Sequence, residues 1–146
     1  MNTATSRIVN VRLITKLYDE LIKPVSKTYG LTAMEINIIS FLQNNPELDT
    51  ASDISAYRNF PKSNVSQGVC ALSRDGYLRC VPYEDDRRKT HLWLTRKSLP
   101  VISDIDECIK KMQDILLRDF TDEEKDAYAA FQRRVVSNVK EYLEND

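Results

Sequence analysis

Between Pro61 and Gly76 the sequence has room for one helix of nearly fixed length, and that helix constrains everything around it. Proline suits the first turn of a helix, where a backbone N–H has no intrahelical partner, and glycine suits the residue just past the end. Together they bracket a helix of roughly Lys62 to Asp75. At about 100° per residue, Val65, Val69 and Leu72 share one side with Gly68 at its margin, and Ser63, Gln67 and Arg74 lie opposite. The apolar side needs burial. Lys62, Asn64, Ser66 and Cys70 complete the outward surface, which offers hydroxyl, amide and guanidinium groups at modest net charge. Amides pair bidentately with adenine, Arg with guanine, and hydroxyls with either base type or with phosphate, as in a helix lying in a major groove. A solvated face on an ordinary surface helix has the same composition, so the helix alone leaves both readings open.

The residues that follow narrow the choice. Tyr77–Pro82 and Thr90–Thr95 are rich in strand formers, and Leu92 and Leu94 alternate with His91, Trp93 and Thr95. They predict an antiparallel pair. Between them Tyr83–Lys89 forms a hairpin tip carrying Asp86 and the consecutive cations Arg87, Arg88 and Lys89.

This stretch resembles the winged helix-turn-helix of the MarR family of bacterial transcriptional regulators. The resemblance rests on Lys62-Ser63-Asn64-Val65-Ser66 opening the helix, Leu72 four residues before Gly76, Asp86-Arg87-Arg88 as the D-x-R wing motif, and Leu94-Thr95 closing the second strand. It implies that Arg88 enters a minor groove or grips phosphate while Asp86 fixes the wing by pairing locally. The physical basis is independent, because a narrow minor groove concentrates negative potential and favours a guanidinium on a protruding loop. Two positions depart from the family pattern. Cys80 stands where an Arg is usual, with Arg79 beside it, and Ser98 replaces a Gly that commonly follows the Leu-Thr closure.

Charge placement agrees with a nucleic-acid partner even though the whole chain carries only −1. From Arg58 to Lys97 nine Lys/Arg face four acidic residues, a local +5 that leaves −6 for the remainder. A basic centre between acidic flanks focuses a DNA-binding face and makes its affinity salt-sensitive. The same inventory gives enzymes little support, for no Gly-rich phosphate loop, nucleophile elbow or His cluster is present. Asp122, Glu123, Glu124 and Asp126 suit a helix N-terminus without any catalytic role. With one His, three cysteines (Cys70, Cys80, Cys108) and no C-x-x-C spacing, neither a zinc site nor structural disulfides are expected, and no cofactor is implied. Cys70 is the candidate redox residue, since an adduct beside the reading face obstructs DNA. The first twenty residues include Arg7, Arg12 and Lys16 and no uninterrupted apolar run, so a cytoplasmic location is expected.

Elsewhere the periodicity is helical. From Arg7 to Lys27, Ile14, Leu17, Tyr18, Leu21, Ile22 and Val25 recur at helical spacing, with Pro24 expected to bend or end the helix and Gly30 to stop it. Thr32–Glu35 is a capping box that opens a helix to about Asn44, with Ile36, Ile38, Ile39, Phe41 and Leu42 forming a face too wide for water. Thr50 with Asp53 caps a short helix to about Arg58, on which Ala51, Ile54 and Tyr57 share one side. Beyond the hairpin, Ile102, Ile105, Ile109, Met112 and Leu116 repeat as a heptad seam. Thr121–Glu124 then opens a last helix with Tyr128, Phe131, Val135, Val139 and Tyr142 on one face.

The expected fold is therefore mainly α with a small β wing (α+β). Residues 31–95 form the winged helix-turn-helix, and residues 1–30 and 96–146 form a helical dimerisation region. Terminal helices this long are not needed to cover a winged module, and a two-fold partner is the natural recipient of their apolar faces through Ile14, Leu17, Leu21, Ile109, Met112, Phe131, Val135 and Val139. The resemblance, which spans roughly Leu13 to Leu143, implies the same homodimer. It further implies two recognition helices about one DNA turn apart, a near-palindromic operator, repression as the commoner outcome, and small aromatic or phenolic effectors. Tyr18, Tyr29, Met34 and Phe41 are candidates to line an effector cleft, though such residues at helical spacing also build cores. The competing expectation is a winged-helix protein adaptor that does not bind DNA.

Overall fold

Local signals place most element boundaries in the computed structural model, which describes residues 3–144 and, for side chains, residues 10–144. The domain limits at residues 1 and 146 and the Arg7 side chain lie outside that description. Helix α1 (Thr3–Tyr29) ends at Gly30, whose φ of 65° suits a residue without a Cβ. Pro24 does not end it. The helix continues one further turn, and the Thr28 hydroxyl donates to the Pro24 carbonyl at 2.8 Å.

Helix α2 (Ala33–Asn44) starts on the reciprocal Thr32–Glu35 capping box and buries Ile36, Ile38, Ile39, Phe41 and Leu42 as expected. Helix α3 (Ala51–Arg58) starts on Thr50 and Asp53 in the same way and ends at Asn59 in the left-handed region. Helix α4 (Lys62–Arg74) follows Pro61, which stands at the N-cap rather than inside the first turn. On the side of α3 that Ala51, Ile54 and Tyr57 share, burial is uneven. Ile54 is fully buried, whereas Tyr57 is 59 % exposed and meets the Phe41 ring only at a tilted 6.3 Å.

Strands β1 (Leu78–Pro82) and β2 (Thr90–Leu94) pair antiparallel with Cys80 opposite Leu92. Leu78 and Leu92 point into the core, and Arg79 and Trp93 point outward with the guanidinium 5.1 Å from the indole centroid. A 3-10 turn (Arg96–Ser98) leads into α5 (Leu99–Leu116), and α6 spans Asp122–Glu144. Ser98 is fully buried and donates its hydroxyl to the Tyr77 carbonyl at 2.8 Å, which ties the entry of α5 to the root of the wing. Glycine has no group to make that bond.

The chain divides into two compact units, one ending at Met112 and the other starting at Gln113. In the first, a continuous core joins Ile22 and Val25 of α1, the apolar face of α2, Ile54, Val65, Leu72, Leu92 and Val101, Ile102 and Ile105 of α5. The heptad run of α5 thus serves two ends. Ile102 and Ile105 belong to this core, whereas Ile109 and Met112 remain half-buried. In the second unit the capping box of Thr121 and Glu124 opens α6, and none of the described side chains of α6 is buried. Among the described residues no helix is long and apolar enough to cross a membrane.

Candidate nucleic-acid interface

Three turns of α4 are presented by the core beneath them. Val65 and Leu72 are buried, and Gly68 lets α2 approach so closely that an added Cβ meets Ile38 Cδ1 at 2.6 Å. Burying that side forces Lys62, Ser63, Asn64, Ser66, Gln67 and Cys70 outward, and all six are exposed. Arg74 is also exposed, at the far end of α4, where its Nε donates to Asp75 Oδ1 at 3.0 Å. An exposed pair of this kind holds the side chain only weakly.

The hairpin tip is ordered by its own backbone. The Tyr83 amide donates to the Lys89 carbonyl and the Lys89 amide to the Asp86 carbonyl, each at 3.0 Å. Asp86 Oδ1 accepts the Arg88 amide at 3.0 Å, the local pairing expected of it. Arg87, Arg88 and Lys89 project from this turn with exposed side chains. At the other end of the hairpin, Thr95 donates its hydroxyl to the Gly76 carbonyl at 2.6 Å and its amide to the Tyr77 carbonyl at 3.0 Å.

Between α3, α4 and the wing lies an open cleft of ≈ 890 Å³, with Ser66 and Cys70 on one wall and Cys80, Arg88 and Lys89 on another. The structure therefore brings recognition-helix and wing candidates to one cleft. Cys70 and Cys80 are free and exposed, whereas Cys108 is half-buried, donates to the Leu21 carbonyl at 3.2 Å, and has its thiol pKa raised by burial.

One part of this site has no local signature in the sequence. Asp49, in the loop before α3, accepts the Tyr83 hydroxyl on Oδ1 at 3.1 Å and lies 2.7 Å from His91 Nδ1 through Oδ2. Its carbonyl accepts the Leu92 amide at 2.8 Å. The Tyr83 and His91 rings stack at 3.6 Å between centroids, 14° from parallel. Desolvation, and then the bond to Asp49, raises the Tyr83 pKa, so the phenol stays a donor at neutral pH.

The expected dimerisation residues separate by exposure. Ile14, Leu17, Leu21, Ile109 and Met112 are half-buried, whereas Phe131, Val135 and Val139 are 60, 61 and 52 % exposed. Of the candidate effector residues, Phe41 is core, and Tyr18, Tyr29 and Met34 pack against it, with the Tyr29 hydroxyl donating to Asp104 at 2.8 Å.

Residues 29–89 match the model of the MarR family. The chain is 27 % identical over 136 residues to the HTH-type transcriptional regulator PecS of Dickeya dadantii, covering 91 % of this chain and 79 % of PecS. It is 26 % identical to the HTH-type transcriptional regulator BilQ of Clostridioides difficile, covering 95 % of this chain and 90 % of BilQ. Among solved structures, a MarR transcriptional regulator from Methanosarcina mazei superposes with a TM-score of 0.78 at 16 % identity, over 97 % of this chain and 94 % of that one. MarR itself superposes at 0.72 and 19 % identity, over 90 % and 95 %. At these identities the structural matches establish the winged-helix fold.

Proposed function

Since the chain belongs to the MarR family of transcriptional regulators, we propose that it is a sequence-specific double-stranded DNA-binding repressor. In this reading it acts in the cytoplasm as a homodimer on a near-palindromic operator. The observation that carries it is the exposed polar face of α4 set beside a protruding tip of three cations. Lys62, Ser63, Asn64, Ser66 and Gln67 read the major groove, and Arg74 reaches the flanking backbone. Asp86 shapes the wing, and Arg87, Arg88 and Lys89 meet a minor groove or phosphate.

Residues 31–95 carry this reader, and residues 1–30 and 96–146 carry dimerisation. The second copy covers Phe131, Val135 and Val139 and the half-buried Ile14, Leu17, Leu21, Ile109 and Met112. Release by a small aromatic effector fits the same reading. The similarity to HTH-type transcriptional regulators supports binding rather than catalysis as the function.

Fluorescence anisotropy of a labelled duplex from upstream of the protein's own coding sequence tests this at low and moderate salt. Two chains should bind per duplex, and Arg88→Ala should weaken binding to all sequences and flatten the salt slope by about one contact. Gln67→Ala should instead change base preference by about 1–3 kcal/mol. Absence of binding at low salt would replace this reading with the protein adaptor.

A further inference from the structure

A hairpin this short holds its tip in place only if something outside the hairpin fixes it, because two strands alone are marginal in water. Leu78 and Leu92 seat the root of the hairpin in the core, and nearer the tip one residue gathers three further contacts. Asp49 takes the Leu92 amide on the edge of β2 that β1 leaves open, the Tyr83 hydroxyl at the start of the tip, and the imidazole of His91 one position after β2 begins. Its carboxylate is 17 % exposed and the His91 ring 29 % exposed, so these are partly desolvated contacts and not surface ones. A carboxylate only accepts, so both ring groups donate to it. The stacked Tyr83 and His91 rings then bridge the two sides of the hairpin, just below the turn that carries the cations.

We propose that Asp49, Tyr83 and His91 form a lock that positions the wing, aiming Arg87 and Arg88 at DNA without touching DNA themselves. The inference rests on the DNA-binding reading above and adds the residues that make the wing effective. Hydrogen bonds to a charged group hold geometry more firmly than neutral ones. Each cation that is free to swing must instead be ordered at the moment of binding, which costs side-chain and loop entropy. The lock removes that cost beforehand.

The test combines hydrogen exchange of the free protein with a double-mutant cycle in DNA binding, using the full chain. Asp49→Ala should speed exchange of the Tyr83 and Lys89 amides and leave α4 unchanged. It should also weaken DNA binding by about tenfold in an otherwise wild-type chain. In an Arg87→Ala/Arg88→Ala background the same change should cost less than about twofold, because there is no longer anything to aim. Tyr83→Phe with His91→Phe keeps the stacked rings, removes both donors and should reproduce the result if Asp49→Ala folds poorly. Unchanged wing exchange, or an equal affinity loss in both backgrounds, overturns the lock. If the paired Arg substitutions alone leave affinity unaltered, the wing assignment itself fails and the lock falls with it. That outcome is distinct, because it appears before Asp49 is changed.

Discussion

In α4, Val65 and Leu72 are fully buried while Ser63, Asn64, Ser66 and Gln67 face solvent; in α6, Phe131, Val135, Val139 and Tyr142 are between 52 and 70 % exposed and no described side chain is buried. Both helices are two-sided in sequence, yet they leave opposite sides available. Burying one large apolar side chain is worth about 1.5–3 kcal/mol, so the stripe of α6 holds stabilisation that a single chain leaves unused. The face of α4 gains nothing from an apolar cover, since its amides and hydroxyls need hydrogen-bonding partners. One face thus needs hydrogen-bonding partners, which DNA supplies in the proposed function, and the other an apolar cover, which a second copy supplies in that same proposal.

The sharpest way to break this contrast is to charge the stripe of α6. Val135→Asp with Val139→Asp should raise the dimer dissociation constant about a thousandfold, roughly 4 kcal/mol, as read by sedimentation equilibrium. An unchanged association state would mean that α6 is not the interface. Next in size, Ile54→Ala in the core beneath the reader should lower unfolding stability by about 3 kcal/mol in urea titrations. A loss as large from Val135→Ala, measured at fixed chain concentration and after dimerisation is accounted for, would erase the distinction between the two regions. The smallest effect belongs to Arg74→Ala. Its exposed pair with Asp75 should contribute under about 0.5 kcal/mol to folding. Any accompanying loss of DNA affinity then reports a contact at the end of α4 and not a weakened fold.

Much of this architecture was legible because its signals are short-range. The boxes at Thr32, Thr50 and Thr121 mark helix starts through bonds that reach only three residues, and each is present. Gly30 and Gly76 stop their segments at positive φ, where other residues pay a steric penalty. Local rules reached less far where they met a tertiary context. A proline in an exposed turn of α1 loses one bond, but packing of Ile22 and Val25 into the core on either side carries the helix through it. Tyr57 sits at core spacing on α3, yet a helix of eight residues has too little buried width to use it. Cys80 and Ser98 looked alike as departures from a pattern, and the structure separates them, leaving Cys80 exposed and making Ser98 a buried fastener.

Capping, periodicity and turn chemistry act between residues a few positions apart, so the amino-acid order already shows where the helices and hairpin lie, which side of α4 is polar, and that the tip is cationic. Long-range packing sets which members of the α5 repeat are core, and brings Asp49 to Tyr83 and His91, 34 and 42 residues away in the chain. No local pattern encodes those contacts. They exist because the loop before α3 packs along the open edge of β2, where the Asp49 carbonyl takes the Leu92 amide and its carboxylate reaches Tyr83 and His91.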